Sequence, residues 1–485
     1  MSDTVPREAD LTAPTDDLTW KTAAQLRELY ARKEVSPVEV AQAHLDRIAQ
    51  YDEHVNAFVT ITADRALADA RAAEDEWRTS ETAPARPLLG IPFALKDLVP
   101  TTGIRTTKGS ARTRDWIPSA DSPLAQRLLT SGGALLGKTT TSEAGWKADS
   151  GNRVNGPARN PHSLTHTAGG SSGGAAAAVA AGFTPVAQGG DGAGSVRIPA
   201  SFCGTVGIKP STGIIPYFPP TPLGPIVANG PLARTVADAA LLLDVLSGPD
   251  HRDPTSLPHS PGGFVRACKR PPRSLRIAYL PTLGGRTPEE TVSGPIAQAV
   301  ARLEDAGHTV NVLDATPHDR FDLLHVIWTT GFATLFPDPG EDLDTGLAAV
   351  VREAACFTGA DLAAAHLQRQ QYKAEMSEFL APYDVAITPT CAVPPFAPGA
   401  DHPDTVRGRP ANYLDWAWLT YTFNLTEHPA LTLPCAATAE GLPIGIQLIG
   451  HHYRDHDLVA AAAAIETTVR NTSMPSFKHP LPELI

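Results

Sequence analysis

The sequence predicts an α/β protein, and three observations point there. Apolar strand-like runs alternate with helix-like segments, and Leu275–Leu280, Ile296–Ala306 and Thr309–Leu313 read as one βαβ-like unit. The 485 residues are 42% hydrophobic, ample for a substantial core. The length admits one large unit or up to about three domains. Finally, two serine-bearing glycine turns flank a short helix of small residues within Gly169–Pro199.

Composition narrows the function. Lys and Arg number 40 against 52 Asp and Glu, a net charge of −12, which disfavours a nucleic-acid or anionic-membrane surface. The 39 glycines and 45 prolines point to many turns and long loops in a folded protein. Five cysteines, Cys203, Cys268, Cys356, Cys391 and Cys435, are scattered and never form a C-x-x-C pair. That argues against a disulfide framework or a zinc site and suits a reducing compartment. Residues 1–20 show no basic and apolar leader pattern, and no apolar run approaches the roughly 18 residues that span a bilayer. A cytoplasmic protein is the expectation.

Taken in order, Met1–Asp17 reads as a flexible tail, and Leu18–Arg32 has helical spacing in Ala24, Leu26, Leu29 and Tyr30. Ser36-Pro-Val-Glu39 combines a capping serine, proline at the first helical position and glutamate three residues on. Val40, Ala43, Leu45 and Ile48 share one side of that helix, which precedes a strand at Asn56-Ala-Phe and a helix over Ala63–Arg78. Pro87–Leu98 reads as a buried strand that delivers Lys96-Asp97, followed by a helix at Leu124–Leu129 and a strand at Ala134–Thr139. Thr235–Leu246 is a capped helix, and Pro249–Pro272 is a boundary or long loop. Phe321–Phe336 and Leu362–Leu380 read as helices of a covering segment before Val385–Pro389 returns to the core.

The chemistry concentrates in three places. Gly169-Gly-Ser-Ser-Gly-Gly174 leads into Ala175–Gly182, and Asp191-Gly-Ala-Gly-Ser-Val-Arg-Ile-Pro199 follows. Composition alone would make the first turn a linker, but a linker is not followed at once by small helix formers and a second glycine turn. Glycine turns bring several N–H groups into one cavity beside a serine hydroxyl. Upstream stands Gly90-Ile-Pro-Phe-Ala-Leu-Lys96-Asp97.

These three stretches, in this order, resemble the amidase signature family of serine hydrolases, which use a Ser-cisSer-Lys triad. The resemblance spans roughly residues 20–470 and is weakest over about 250–380. Gly204-Thr-Val-Gly-Ile-Lys-Pro210, Asn424–Pro434 and Gly441–Gln447 continue it. It implies a single large mixed β-sheet flanked by helices on both faces, in one domain over 18–485 with a variable covering segment at about 250–380. It makes Ser195 the nucleophile, Ser171, after a cis peptide, the bridging serine, and Lys96 the base; the two serines are 24 positions apart, as in the family. Lys96 serves only if burial lowers its pKa enough to leave it neutral. The implied oxyanion hole is the main-chain N–H groups of Gly192, Ala193, Gly194 and Ser195. Ala193 stands where the family often has glycine. Asp191 and Arg197 are expected to brace this turn as an ion pair, and Ser172 to support Lys96.

The implied reaction is hydrolysis of a carboxylic amide through an acyl-enzyme, with no metal and no cofactor. Aryl or hydrophobic amides, carbamates and esters are all open as small-molecule substrates. Trp146 and part of the apolar stretch 321–336, notably Trp328, are expected to wall a hydrophobic pocket. Oligomeric state is open, with a homodimer as one option.

Two rivals stand. One is the glutaminase-type subunit of a tRNA-dependent amidotransferase, which would need partner chains. The other is a P-loop protein, because Gly132-Gly-Ala-Leu-Leu-Gly137-Lys138-Thr139 satisfies Gly-x-x-x-x-Gly-Lys-Ser/Thr. A phosphate loop needs a strand before the first glycine and a helix opening at Lys-Thr, and here that order is inverted. His162, His166, His451 and His452 lie in turn-like stretches and are expected to be surface or structural.

Overall fold

A computed structural model describes residues 18–80, 84–259 and 261–470. The tail expected at Met1–Asp17 lies outside them.

The helices form where the sequence caps them. Thr22 and Ser36 each close a capping box, with Gln25 and Glu39 returning the bond, so Ala23–Arg32 and Pro37–Val55 start with their first N–H groups satisfied. The helix expected from Leu18 therefore starts at Ala23, after a 3-10 turn at Leu18–Trp20. Pro87–Leu98 is shorter than expected as a strand. Leu88–Gly90 form a turn, with Gly90 at φ +78, and the strand runs from Pro92 to Lys96.

Eleven strands among the described residues join one mixed sheet. In chain order they are β1 (Phe58–Ile61), β2 (Pro92–Lys96), β3 (Ala134–Thr139), β4 (Val186–Asp191), β5 (Val206–Lys209) and β6 (Ala228–Ala233), then β7 (Arg276–Tyr279), β8 (Thr309–Val312), β9 (Val385–Pro389), β10 (Ala430–Ala437) and β11 (Pro443–Ile449). Across the sheet the order is β1-β3-β2-β4-β6-β5-β10-β11-β9-β7-β8. The left part pairs β3, β2 and β4 in parallel, the centre runs antiparallel from β4 through β11 to β9, and β9, β7 and β8 are parallel again. The βαβ unit read from sequence is the β7–β8 edge, its helix at Glu290–Asp305.

Alternation along the strands separates two faces. Phe93, Leu95, Leu135 and Val186 join one core cluster, whereas Ala94, Leu136 and Ala187 join another built around the alanines of the helix Gly173–Ala180. Both faces are therefore covered, which is why the strands read as continuous apolar runs. A third cluster unites the helices Phe321–Leu335, Thr345–Glu353 and Gly359–Leu380 with Trp416–Leu425. No helix among the described residues is long and apolar enough to cross a membrane.

The helix Gly173–Ala180 approaches the strand ends without room to spare. A Cβ at Gly174 would lie 2.5 Å from both the Thr140 nitrogen and the Ala57 carbonyl oxygen, main-chain atoms that cannot swing aside. Gly174→Ala should destabilise the protein by about 3 kcal/mol. Urea unfolding monitored by tryptophan fluorescence checks this, and a midpoint equal to wild type would contradict the packing.

Candidate active site

Strand alternation decides where Lys96 points. Ala94 faces the cluster around Gly173–Ala180, and Lys96, two residues on, follows it to that face. The turn before that helix presents two serines to the incoming side chain. Lys96 Nζ lies 2.7 Å from Ser171 Oγ and 2.9 Å from Ser172 Oγ, with the Gly190 carbonyl at 3.4 Å. The Gly170–Ser171 peptide is cis. Ser172 Oγ is held by Gly190, accepting from its N–H at 3.2 Å and donating to its carbonyl at 3.1 Å. Ser172 N–H also donates to the Ser195 carbonyl at 3.2 Å, which ties the two glycine turns together.

The second turn is organised by Asp191 at the end of β4. Arg197 Nη2 and Nε donate to its carboxylate at 2.8 and 3.0 Å, and both side chains are fully buried. Asn424 adds a bond at 2.9 Å, and the Gly194 and Val196 N–H groups donate at 2.8 and 3.1 Å. Burial alone would raise the Asp191 pKa. The Arg197 charge and these hydrogen bonds overturn that and hold it well below the usual carboxylate range. Arg197 spends its other donors on the Thr420 carbonyl and the Gln447 and Asn424 side chains. Gly194 takes φ +119, and a side chain there would collide with Thr420.

Of the four N–H groups expected to face an oxyanion, that of Gly194 is already bonded to Asp191 and shapes the turn instead. Those of Gly192, Ala193 and Ser195 have no partner among the described residues. Ala193 fits because its φ is negative and its N–H is retained, while Thr420 Oγ1 holds its carbonyl at 2.8 Å.

Lys96, Ser171, Gly192 and Ser195 all line one cavity of about 450 Å³. Burial lowers the Lys96 pKa to about 7, against the opposing pull of the Asp191 charge. A lysine that is half neutral near pH 7 can take a proton from a hydroxyl that it touches. Among the described residues, no group of three or more His, Cys, Asp or Glu side chains is placed to hold a metal ion.

The pocket walls match the expectation in part. Trp328 lines the cavity with its ring edge against Gly192, and Leu335 and Phe336 from the same segment join it. Trp146 does not. The left-handed residues Ala144 and Gly145 carry the chain past the cavity, and the Trp146 ring packs against Gly346 in the covering helices. Gln188 and Asn229 also line the cavity, and Asn424, Thr420 and Gln447 hold the Asp191–Arg197 pair. Sequence reasoning named none of these roles. Asn424 and Gln447 sit in segments that continue the family pattern, which was the available sign.

The phosphate-loop reading fails on geometry. Ala134–Thr139 is strand β3, and Lys138 is buried with its Nζ on the Val99 carbonyl at 2.5 Å and Thr106 Oγ1 at 2.8 Å. His162 and His452 are structural, bonded to the Cys203 and Thr426 carbonyls.

Known proteins agree on the class. The family model for amidases matches residues 39–459. An acylamidase of Rhodococcus erythropolis is 36% identical over 464 residues, covering 93% of this chain and 96% of its own. One component of the glutamyl-tRNA(Gln) amidotransferase of Moorella thermoacetica is 33% identical over 480 residues, covering 93% and 97%. The crystal structure of a bacterial aryl acylamidase superposes with a TM-score of 0.87 at 31% identity, covering 96% of this chain and 99% of that one. This chain belongs to the amidase signature family and is an amide-hydrolysing enzyme.

Burial draws Lys96 and Lys209 down to about 7 and Lys138 to about 8, and it lowers Lys108 as well. NMR of protein labelled at the lysine ε-carbons should show these signals moving to the ammonium position as pH falls through those values. Lys96→Met should delete one of the two near 7. A spectrum in which every lysine titrates in the ordinary range would refute the burial argument.

Proposed function

We propose that this chain hydrolyses aryl or hydrophobic amides through an acyl-enzyme on Ser195, with carbamates and esters as further acyl substrates. The observation that carries the reading is Lys96 Nζ, 2.7 Å from Ser171 Oγ in the cavity that Ser195 shares, with its pKa drawn to about 7.

Neutral Lys96 accepts the Ser171 proton as Ser171 takes the proton of Ser195, whose Oγ attacks the amide carbon. The carbonyl electrons move onto oxygen, which the Gly192, Ala193 and Ser195 N–H groups receive. As the tetrahedral adduct collapses, Lys96 returns its proton through Ser171 to the leaving nitrogen, and the amine departs. Water then enters, loses a proton by the same path and releases the acid. Ser172 contributes by holding Lys96 beside Ser171, and the Asp191–Arg197 pair by holding the turn. Trp328, Phe336, Leu223 and Val227 supply an apolar wall large enough for an aromatic ring, which supports the aryl preference. The relatives include an acylamidase and an aryl acylamidase, in the same direction.

Ser195→Ala should abolish both turnover and fluorophosphonate labelling. Lys96→Ala and Ser171→Ala should lose roughly a hundred- to ten-thousandfold in kcat. Wild-type kcat/KM should rise with pH to a plateau above about 7, since the protonated Lys96 that dominates below it cannot accept a proton. Turnover that survives Ser195→Ala would refute the assignment.

Burying one aromatic ring should favour an anilide over acetamide by about a hundredfold in kcat/KM. Trp328→Ala should narrow that gap while Ser195 still labels. L-glutamine serves as the counter-substrate, and a preference for it over the anilide would favour the glutaminase reading instead.

A further inference from the structure

Gln188 and Asn229 are two carboxamides whose orientation their neighbours dictate. They stand on adjacent antiparallel strands, β4 and β6, where Gly190 is paired directly with Asn229. The Lys96 N–H donates to Gln188 Oε1 at 3.3 Å, and a main-chain donor needs an oxygen there, so the Gln188 nitrogen must lie on the other side. From that side Nε2 donates to the Gly189 carbonyl at 2.5 Å and to Asn229 Oδ1 at 3.0 Å. Asn229 therefore turns its oxygen to Gln188 and is left with Nδ2 as a donor. No partner for Nδ2 exists among the described residues. Asn229 is 8% exposed and lines the cavity, so an acceptor has to come from inside it.

Gly190 supplies the room. A Cβ placed there would meet, within 4 Å, Asn229 Oδ1 alone, at 3.6 Å. Open space thus lies beside the amide, and the carbonyl of the same Gly190 is 3.4 Å from Lys96 Nζ. Gly190 is thus a shared neighbour of the Asn229 carboxamide and of Lys96, and both line the cavity that holds Ser195.

We infer that Asn229 is a specificity-determining residue. Its Nδ2 donates a hydrogen bond to a second acceptor oxygen bonded to the scissile carbonyl carbon, such as the alkoxy oxygen of a carbamate. This rests on the reading of the cavity as the acyl-transfer site. A substrate with a methylene at that place leaves the N–H facing carbon, and a site built to bond a polar atom rejects the analogue that lacks it.

Ethyl N-phenylcarbamate and butyranilide differ by an oxygen in place of that methylene, so the ratio of their kcat/KM values isolates the contact. Asn229→Leu and Asn229→Ala should lower the carbamate-to-anilide ratio about tenfold or more. Asn229→Ser, which keeps a donor, should recover part of it. Fluorophosphonate labelling of Ser195 identifies the variants that fold, and the ratio is read in each of those. An unchanged ratio in a labelled Leu or Ala variant overturns the inference while leaving the amidase reading intact. A wild type that turns over the anilide alone does the same. A wild type that labels yet hydrolyses neither substrate overturns both.

Discussion

The buried Asp191–Arg197 pair is the constraint on which the site depends. Burying two charges is costly, and here the cost is met by saturating them. The Asp191 carboxylate receives donors from Arg197, Asn424, Gly194 and Val196, and the guanidinium is bonded to Asp191, Asn424, Gln447 and the Thr420 carbonyl. Removing one partner of such a pair leaves the other unpaired, at about 3–5 kcal/mol. What the pair holds is the turn from Gly192 to Ser195, and by occupying Gly194 it settles which N–H groups stay open. The same carboxylate raises the Lys96 pKa against burial, so it acts on Lys96 as well as on the turn.

Lys96 gains meaning beside the other buried lysines. Lys138 and Lys209 are as enclosed, and burial lowers their pKa values too. Lys138 is surrounded by the Val99 carbonyl and the hydroxyls of Thr101 and Thr106 and serves the packing between β3 and the loop that follows β2. Lys96 alone of the three lines the cavity and touches a serine that does so as well. A lowered pKa is a common result of burial, whereas adjacency to a hydroxyl in an open cavity is not.

Much of this site was legible because its parts are local. Two glycine turns and the helix between them lie within one short stretch, where glycine admits the tight turns and the alanine run favours the helix. The ion pair of Asp191 with Arg197 is local as well, spanning a single turn. Trp146 was misjudged because its direction depends on left-handed backbone at Ala144 and Gly145, and a non-glycine residue such as Ala144 does not advertise that. The engagement of the Gly194 N–H was hidden because residue order cannot say which N–H of a turn faces inward. Asn229 was invisible for another reason: its orientation is passed from Lys96 through Gln188, three residues on three strands.

By itself the sequence determined the α/β character, the two turns, the strand that ends at Lys96 and the small-residue helix, since propensity, capping and alternation act within a few residues. Sheet order, the union of Lys96 with Ser171 and Ser195, the apolar wall at Trp328 and the free donor at Asn229 were decided by tertiary structure. Each of these joins groups tens to hundreds of residues apart. Their distances are set by strand register and by the packing of whole helices, which no local pattern encodes.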